Sequence, residues 1–191
     1  MKAVIIGPSD RSVLWRYGKI KQEDYEKFIK EYAKFLAEKF DDVIITPDDG
    51  VYTDVADEFS KIKGKKNLAF YPDKDTFYGI EHIKNNFSKY NTQPINGDWY
   101  KLGAELTKQS PVVICLGFSP GVLIEGSYIK YHQKYGGFKD PKLKNIHWFI
   151  DKRCIKRKLP ENFEEEISNI FYYSSLKQLK GLLKKYKELL E

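Results

Sequence analysis

The sequence has few of the residues that build disulfide frameworks or metal sites. Its 2 cysteines, Cys115 and Cys154, lie far apart and form no Cys-x-x-Cys pair, which argues against a disulfide framework and against a cysteine zinc site. Its 3 histidines, at positions 82, 132 and 147, have no metal-ligand spacing. We therefore expect no metal and no other cofactor.

Long hydrophobic runs are also absent. No stretch approaches the roughly 18 apolar residues that a membrane-spanning helix needs, and the N-terminus turns polar after Ile6 without the apolar segment of a secretory signal. Hydrophobic residues make up 41% of the 191 residues, too many for a disordered chain. These features predict a soluble, cytoplasmic protein with no membrane partner and a single domain over residues 1–191.

The chain carries a net charge of +6, part of it in the basic segment 152–158. A positive charge permits binding to nucleic acid without demonstrating it. A solvated surface of lysine and glutamate explains the same charge, and we favour it. Nucleic-acid binding is therefore the weaker interpretation, and a small-molecule partner the preferred one.

Apolar runs alternate with helical patterns along the chain. Buried strands are predicted at 3–6, 43–46, 67–71, 111–116, 145–150 and 169–174, and helices at about 23–40, 51–62, 99–109, 120–134 and 176–190. Residues 72–98 are predicted as a loop with one short helix over about 80–87, whose length and helix breakers suggest a lid. The order predicts an α/β fold: a doubly wound, mostly parallel, Rossmann-like sheet of about six strands with helices on both faces.

Ligands of such sheets bind at the carboxyl ends of the strands, near a topological switch point. Three turns are therefore of interest, after Ile6, Thr46 and Leu116. In the first turn, Gly7 and Ser9 could cradle a phosphate and Arg11 could bind one by its guanidinium fork. An ordinary strand exit with a helix-capping Ser or Asp explains the same residues.

The second turn places a glycine directly before a helix. Gly50 precedes it, and Thr53 and Asp54 lie in its first turn. Helix-start amides suit an anion, whereas Asp49 and the neighbouring acids suit a ribose hydroxyl better. Capping by Asp or Thr is the structural alternative.

The third turn carries the strongest signal. Gly117 and Gly121 flank a stretch that contains Ser119, Pro120 is suited to open a helix, and Glu125 lies about one turn into that helix, after Val122. The helix dipole is expected to favour the ionised carboxylate, which suits a group that holds a ribose or stabilises an oxocarbenium ion. A glutamate with no role beyond the helix start is the alternative.

Three motifs in this order resemble one superfamily. They are VIIGPSDRS after the first strand, DDGVYTDVA after the second and GFSPGVLIE (117–125) after the fourth. They resemble the cytokinin-activating phosphoribohydrolases (lysine decarboxylase-like proteins), the molybdenum-cofactor carrier-like proteins and the Rossmann domain of the bacterial DNA-processing protein. The third motif keeps Gly121 and Glu125 of the family's Pro-Gly-Gly-x-Gly-Thr-x-x-Glu signature. The family's preceding arginine is missing from 102–111, and Lys101 lies nearby.

The resemblance implies a nucleotide-binding protein that cleaves the N-glycosidic bond at ribose C1 through Glu125. The three turns, with Arg11 or Lys101 neutralising the phosphate, would form the nucleotide site, and the protein would be a homo-oligomer, a dimer. The segment Glu125-Gly126-Ser127-Tyr128 is also similar to the nucleoside deoxyribosyltransferases, which implies a transferase as an alternative. A non-catalytic nucleotide sensor or carrier is the third. Trp99 and Tyr100 are candidate base-stacking residues, with core packing as their structural alternative.

Overall fold

Seven parallel strands form one sheet in the part of the chain that the structure, a computed structural model, describes: residues 1–74, 79–136 and 140–190. The strands are β1 (Lys2–Ile6), β2 (Asp42–Ile45), β3 (Leu68–Pro72), β4 (Asn91–Ile95), β5 (Val112–Cys115), β6 (His147–Asp151) and β7 (Ile170–Tyr173). Their order across the sheet is β4-β3-β2-β1-β5-β6-β7, and each pair is parallel. The predicted Rossmann-like α/β fold is confirmed.

Helices connect the strands. They are α1 (Val13–Arg16), α2 (Tyr25–Lys39), α3 (Val51–Lys63), α4 (Glu81–Lys84), α5 (Trp99–Thr107), α6 (Pro120–Lys134), α7 (Glu161–Glu164) and α8 (Leu176–Leu190). Short 3-10 turns lie at Gln22–Asp24, Phe87–Lys89 and Pro141–Asn145. No helix in the described ranges has the length and apolarity needed to cross a bilayer.

The alternation of side chains along each strand builds a separate core on each face of the sheet. In β1, Ala3 and Ile5 join the core beneath α2, α3 and α8, whereas Val4 and Ile6 join the core beneath α5 and α6. The sequences of such strands are continuous apolar runs because both faces of each strand are buried. Leu179 and Leu183 of α8 belong to the first core. α8 therefore packs on the sheet through these leucines, and the homodimer implied by the resemblance stays a prediction.

The seventh strand corrects the prediction for residues 72–98. β4 lies within that segment and pairs with β3 from Leu68↔Asn91 to Pro72↔Ile95. Four of its five residues are polar or proline. The strand lies at the sheet edge, where a proline is tolerated because its position need not donate a hydrogen bond to a further strand. Part of the suggested lid, residues 75–78, lies outside the described residues, and the lid stays a prediction.

The strand order places the switch point between β1 and β5. Strands β1 to β4 extend to one side, and the chain then returns through α5 to place β5 against β1. Because all strands are parallel, the turns after β1, β2 and β5 lie at the same edge of the sheet.

Candidate functional site

The three turns meet around Pro8. A Cβ atom on Gly50 would lie 2.8 Å from the Pro8 carbonyl oxygen, and one on Gly117 would lie 3.2 Å from Pro8 Cδ. Both glycines have positive φ angles, 153° and 119°, which other residues rarely adopt. The Val51 amide donates a hydrogen bond to the Pro8 carbonyl at 3.2 Å. These glycines therefore allow the close approach of the three turns.

A cavity of about 340 Å³ opens beside this junction. It lies within the usual size range of small-molecule sites, about 300–1,000 Å³. Residues from the ends of β1 and β2 and from α3, α5 and α6 line it: Ile5, Ile6, Gly7, Ser9, Thr46, Asp48, Tyr52, Trp99, Tyr100, Leu102, Gly103, Leu106, Ser119, Gly121, Val122, Ile124 and Glu125. The cavity thus lies at the predicted edge of the sheet.

Glu125 brings an unpaired carboxyl group to this cavity. The side chain is half-buried and has no hydrogen bond or ion pair with any residue that the structure describes. Its removal from water raises the pKa to about 8. The expectation that the helix start would favour the ionised form is therefore wrong, because the cost of desolvation exceeds the stabilisation by the dipole. At neutral pH most of this carboxyl is protonated.

Tyr52 lies against the same cavity from the first turn of α3. Its side chain is only 7% exposed, and its hydroxyl has no partner among the described residues. Burial, and then the charges of Asp48 and Glu125, raise the pKa of this phenol well above its usual value. The hydroxyl oxygen is not one of the described buried atoms that lack a partner, so it stays open to the cavity, where water or a ligand can bind it. Tyr52 therefore offers a neutral donor to a molecule in the cavity.

Asp48 supplies a second carboxyl group. Its Oδ1 atom accepts a hydrogen bond from the Asp49 amide at 2.7 Å and lies 3.8 Å from Nε2 of His82. Burial raises the pKa of Asp48 above its ordinary value. The His82 ring stacks on Trp99, which lines the cavity, with 5.7 Å between ring centroids. These contacts link an acid to an aromatic wall.

Six of the residues predicted for the site line the cavity: Gly7, Ser9, Ser119, Gly121, Val122 and Glu125. Seven do not: Arg11, Asp49, Gly50, Thr53, Asp54, Lys101 and Gly117. Arg11 donates to Asp54 through Nε at 2.5 Å and Nη2 at 2.7 Å, and the Tyr25 hydroxyl also donates to Asp54 at 2.5 Å. Lys101 donates to the carbonyl of Asn96. Both predicted phosphate-binding cations therefore already have protein partners.

The start of α6 uses some of its own amides for capping. Ser119 is the N-cap residue, and its Oγ accepts from the Val122 amide at 3.3 Å while its carbonyl accepts from the Leu123 amide at 3.0 Å. Pro120, the first residue of the helix, has no amide hydrogen. The sequence pattern indicated an anion site here, and the Ser119 cap and Pro120 reduce the number of amides that this helix start can offer a ligand.

The cavity residues that sequence reasoning did not single out include Tyr52 and Gly103. A Cβ atom on Gly103 would lie 3.5 Å from Cγ of Glu125, so this glycine leaves the space beside the carboxyl. Tyr52 follows Gly50 and Val51 directly, and an aromatic residue in the first turn of a helix at the switch point was the signal available. No group of three or more His, Cys, Asp or Glu side chains suited to a metal occurs among the described residues.

Comparisons with known proteins give likenesses of fold. No family model and no curated protein matches the chain. The structure of TM1055, a structural-genomics target, superposes with a TM-score of 0.64 at 14% identity and covers 96% of this chain and 98% of its own. The structure of the molybdenum cofactor carrier protein of Chlamydomonas reinhardtii superposes with a TM-score of 0.60 at 13% identity, and the match covers 96% of each chain.

A third similar structure is DNA processing protein A of Helicobacter pylori, solved in a study of its binding to single-stranded DNA. It has a TM-score of 0.57 and 14% identity and covers 97% of this chain and 80% of its own. At these identities the likeness establishes the fold. The chain shares the Rossmann-like fold of these three structures.

Proposed function

We propose that the chain binds a nucleoside or nucleotide in the cavity at the switch point and breaks its N-glycosidic bond through Glu125. One observation carries the proposal: an unpaired carboxyl with its pKa near 8 faces a cavity at the carboxyl ends of the central strands. Strongly perturbed carboxyl groups in clefts are typical of general acids and bases.

The protonation state favours an acid role for Glu125. A neutral carboxyl can donate its proton to a ring nitrogen of the base as the bond from C1 to the base breaks and the base leaves with the electron pair. Water, or an acceptor molecule in a transferase, then forms the new bond at C1. The proton that this nucleophile loses restores the acid form of Glu125, so that atoms and charges balance.

The other polar groups of the cavity suit a sugar. Asp48 can accept hydrogen bonds from ribose hydroxyls, and its negative charge favours the cationic character that C1 develops as the base departs. Tyr52 can donate to a sugar oxygen. Trp99 and Tyr100 form an aromatic wall at which a base can stack.

Release of free base from a panel of nucleosides and nucleoside 5′-monophosphates, followed by chromatography, tests the proposal. We expect release by the wild-type protein and a loss of about 100-fold or more in Glu125→Gln, which cannot donate the proton. Glu105→Gln is the matched control, since Glu105 is ion-paired with Lys108 on α5 and does not line the cavity. Absence of release from every compound, or equal release by Glu125→Gln, would contradict the proposal.

A non-catalytic carrier or sensor is the second candidate. It is favoured by the third turn, which has Phe118, Ser119 and Pro120 where the phosphoribohydrolase signature has two glycines and the residue after them. Thermal stabilisation by a nucleoside or nucleotide without release of base would support it. A ligand present at about 100 times its dissociation constant adds about 2.7 kcal/mol of stability.

A further inference from the structure

We infer that the cavity takes an unphosphorylated nucleoside in preference to its 5′-phosphate, because its polar side chains are carboxyl and hydroxyl groups and no cationic side chain is among its described lining residues. The inference rests on the proposed function, since it concerns the ligand of the same cavity. It differs from the phosphate site that the sequence motifs indicate.

Cations are the first requirement that the cavity does not meet. No lysine, arginine or histidine is among its described lining residues. A phosphate monoester carries a charge of about −1.5 to −2 at neutral pH and is usually bound by such side chains. Arg11 is held by both carboxylate oxygens of Asp54, and His82 already faces Asp48. Recruiting either cation to a phosphate would leave a carboxylate without its partner.

Backbone amides are the second requirement. A helix start binds phosphate through N–H groups that have no partner within the helix. At α6, Ser119 accepts from the amides of Val122 and Leu123, and Pro120 has none. At α3, the Val51 amide donates to Pro8. Each helix start thus offers a phosphate fewer free amides than an uncapped helix start without a proline, although the amides of Gly121, Tyr52 and Thr53 have no bond of this kind among the described residues.

The acidic lining also disfavours a phosphate. Asp48 lines the cavity on the β2 side, and its carboxylate repels a phosphate in a partly desolvated site. Glu125 lines the α6 side and, protonated at neutral pH, supplies no positive charge to compensate. A neutral sugar avoids this repulsion, and its hydroxyl groups can donate to the two carboxyl groups and accept from Tyr52. The Tyr52 hydroxyl, which has no described protein partner and lies at the cavity, can also donate to such a ligand.

Calorimetric titration of the full chain with matched pairs tests the inference: adenosine against AMP, guanosine against GMP, cytidine against CMP and uridine against UMP, at pH 7 and about 0.15 M salt. We expect at least one nucleoside to bind tenfold or more tightly than its own monophosphate. Equal or tighter binding of the monophosphate in every pair that binds would overturn the inference.

Asp48→Asn assigns the origin of the preference. An asparagine keeps the Oδ1 acceptor for the Asp49 amide but removes the charge. The affinity for the monophosphate should therefore rise at least threefold relative to the affinity for the nucleoside. Asp24→Asn, on an exposed residue at the start of α2 whose side chain makes no capping hydrogen bond, is the control and should leave the ratio unchanged. An unchanged ratio in Asp48→Asn would contradict the role of the acidic lining.

The outcomes separate the two proposals. Preferred binding of a monophosphate, together with base release that depends on Glu125, overturns the ligand inference alone. Preferred binding of a nucleoside without base release overturns the catalytic proposal alone. Absence of binding by all eight compounds overturns both.

Discussion

The starts of α3 and α6 hold equivalent places in the fold and differ in how their acids are used. Each helix follows a central strand, begins at the switch-point edge and carries an acid within its first two turns, Asp54 in α3 and Glu125 in α6. Asp54 accepts from both Arg11 and Tyr25. Glu125 has no described partner and faces the cavity.

This difference shows that the surroundings of a carboxylate, and not its place in a motif, separate a structural acid from a reactive one. Arg11 and Tyr25 both donate to the oxygens of Asp54, which connects the first turn of α3 to the turn after β1 and to α2. Glu125 is desolvated without a described hydrogen bond, which is typical of carboxyl groups that act on a substrate. The following predictions test whether the α3 start is structural and the α6 start is functional.

The largest effect is expected from Gly50→Ala at the start of α3. The added Cβ would lie 2.8 Å from the Pro8 carbonyl oxygen and 2.9 Å from Ser9 Cα, both backbone atoms that cannot move independently, and φ is 153°. We expect the free energy of unfolding to fall by about 2–4 kcal/mol. Chemical denaturation measures it. Gly64→Ala is the control at the other end of α3, because φ is 68° there but the space is open. An equal loss in both variants would show that backbone conformation alone, and not the meeting of the turns, sets the cost.

Asp54→Asn should have the next largest effect. It removes the charge that Arg11 and Tyr25 bind, which we expect to cost about 1–2 kcal/mol of unfolding free energy because the pair is only partly buried. The affinity of the cavity for its ligand should stay within about twofold, since Asp54 does not line it. Denaturation and calorimetric titration give the two quantities. A tenfold loss of affinity with intact stability would make the α3 start part of the binding site.

Glu125→Gln should change the pH dependence of stability. The pKa of Glu125 is about 8 in the folded chain and near 4.5 when unfolded, so the folded state binds the extra proton between these values. The free energy of unfolding is therefore highest, as far as Glu125 is concerned, below about pH 4.5, and it falls as the pH rises to about 8. Glutamine does not titrate, so the free energy of unfolding of the variant should not decline in this way. The difference between variant and wild type should therefore move by about 1–3 kcal/mol in favour of the variant between pH 4 and pH 9. Denaturation from pH 4 to 9 measures it. Parallel curves for the two proteins would contradict the raised pKa.

Much of the fold was predictable because its central strands are buried on both faces. Runs such as VVIC have one interpretation once helical patterns flank them. β4 was not predictable for the opposite reason: the sequence NTQPI has no apolar run, and its strand conformation comes from pairing with β3.

The site was predictable in location but not in electrostatics. Strand order places the cavity where the turns after Ile6, Thr46 and Leu116 meet. The state of Glu125 depends on desolvation by residues distant in sequence, among them Tyr52 and Gly103. Likewise, Arg11 looks like a phosphate ligand in sequence, and only the fold brings Asp54 and Tyr25 to it.

The smallest effect, and the finest test of the contrast, is expected from Gly103→Ala on α5. The new Cβ would lie 3.5 Å from Glu125 Cγ and from the Tyr128 ring, which is ordinary van der Waals contact. Alanine favours helix over glycine by up to about 1 kcal/mol, so denaturation should show a stability gain of about 0.5–1 kcal/mol. The methyl group also narrows the cavity beside Glu125, so calorimetric titration should show weaker ligand binding. Gly181→Ala on α8, where the space is open, is the control and should gain stability without affecting affinity. If Gly103→Ala left affinity unchanged, the ligand would not occupy the space beside Glu125. This outcome would contradict a functional role for the start of α6.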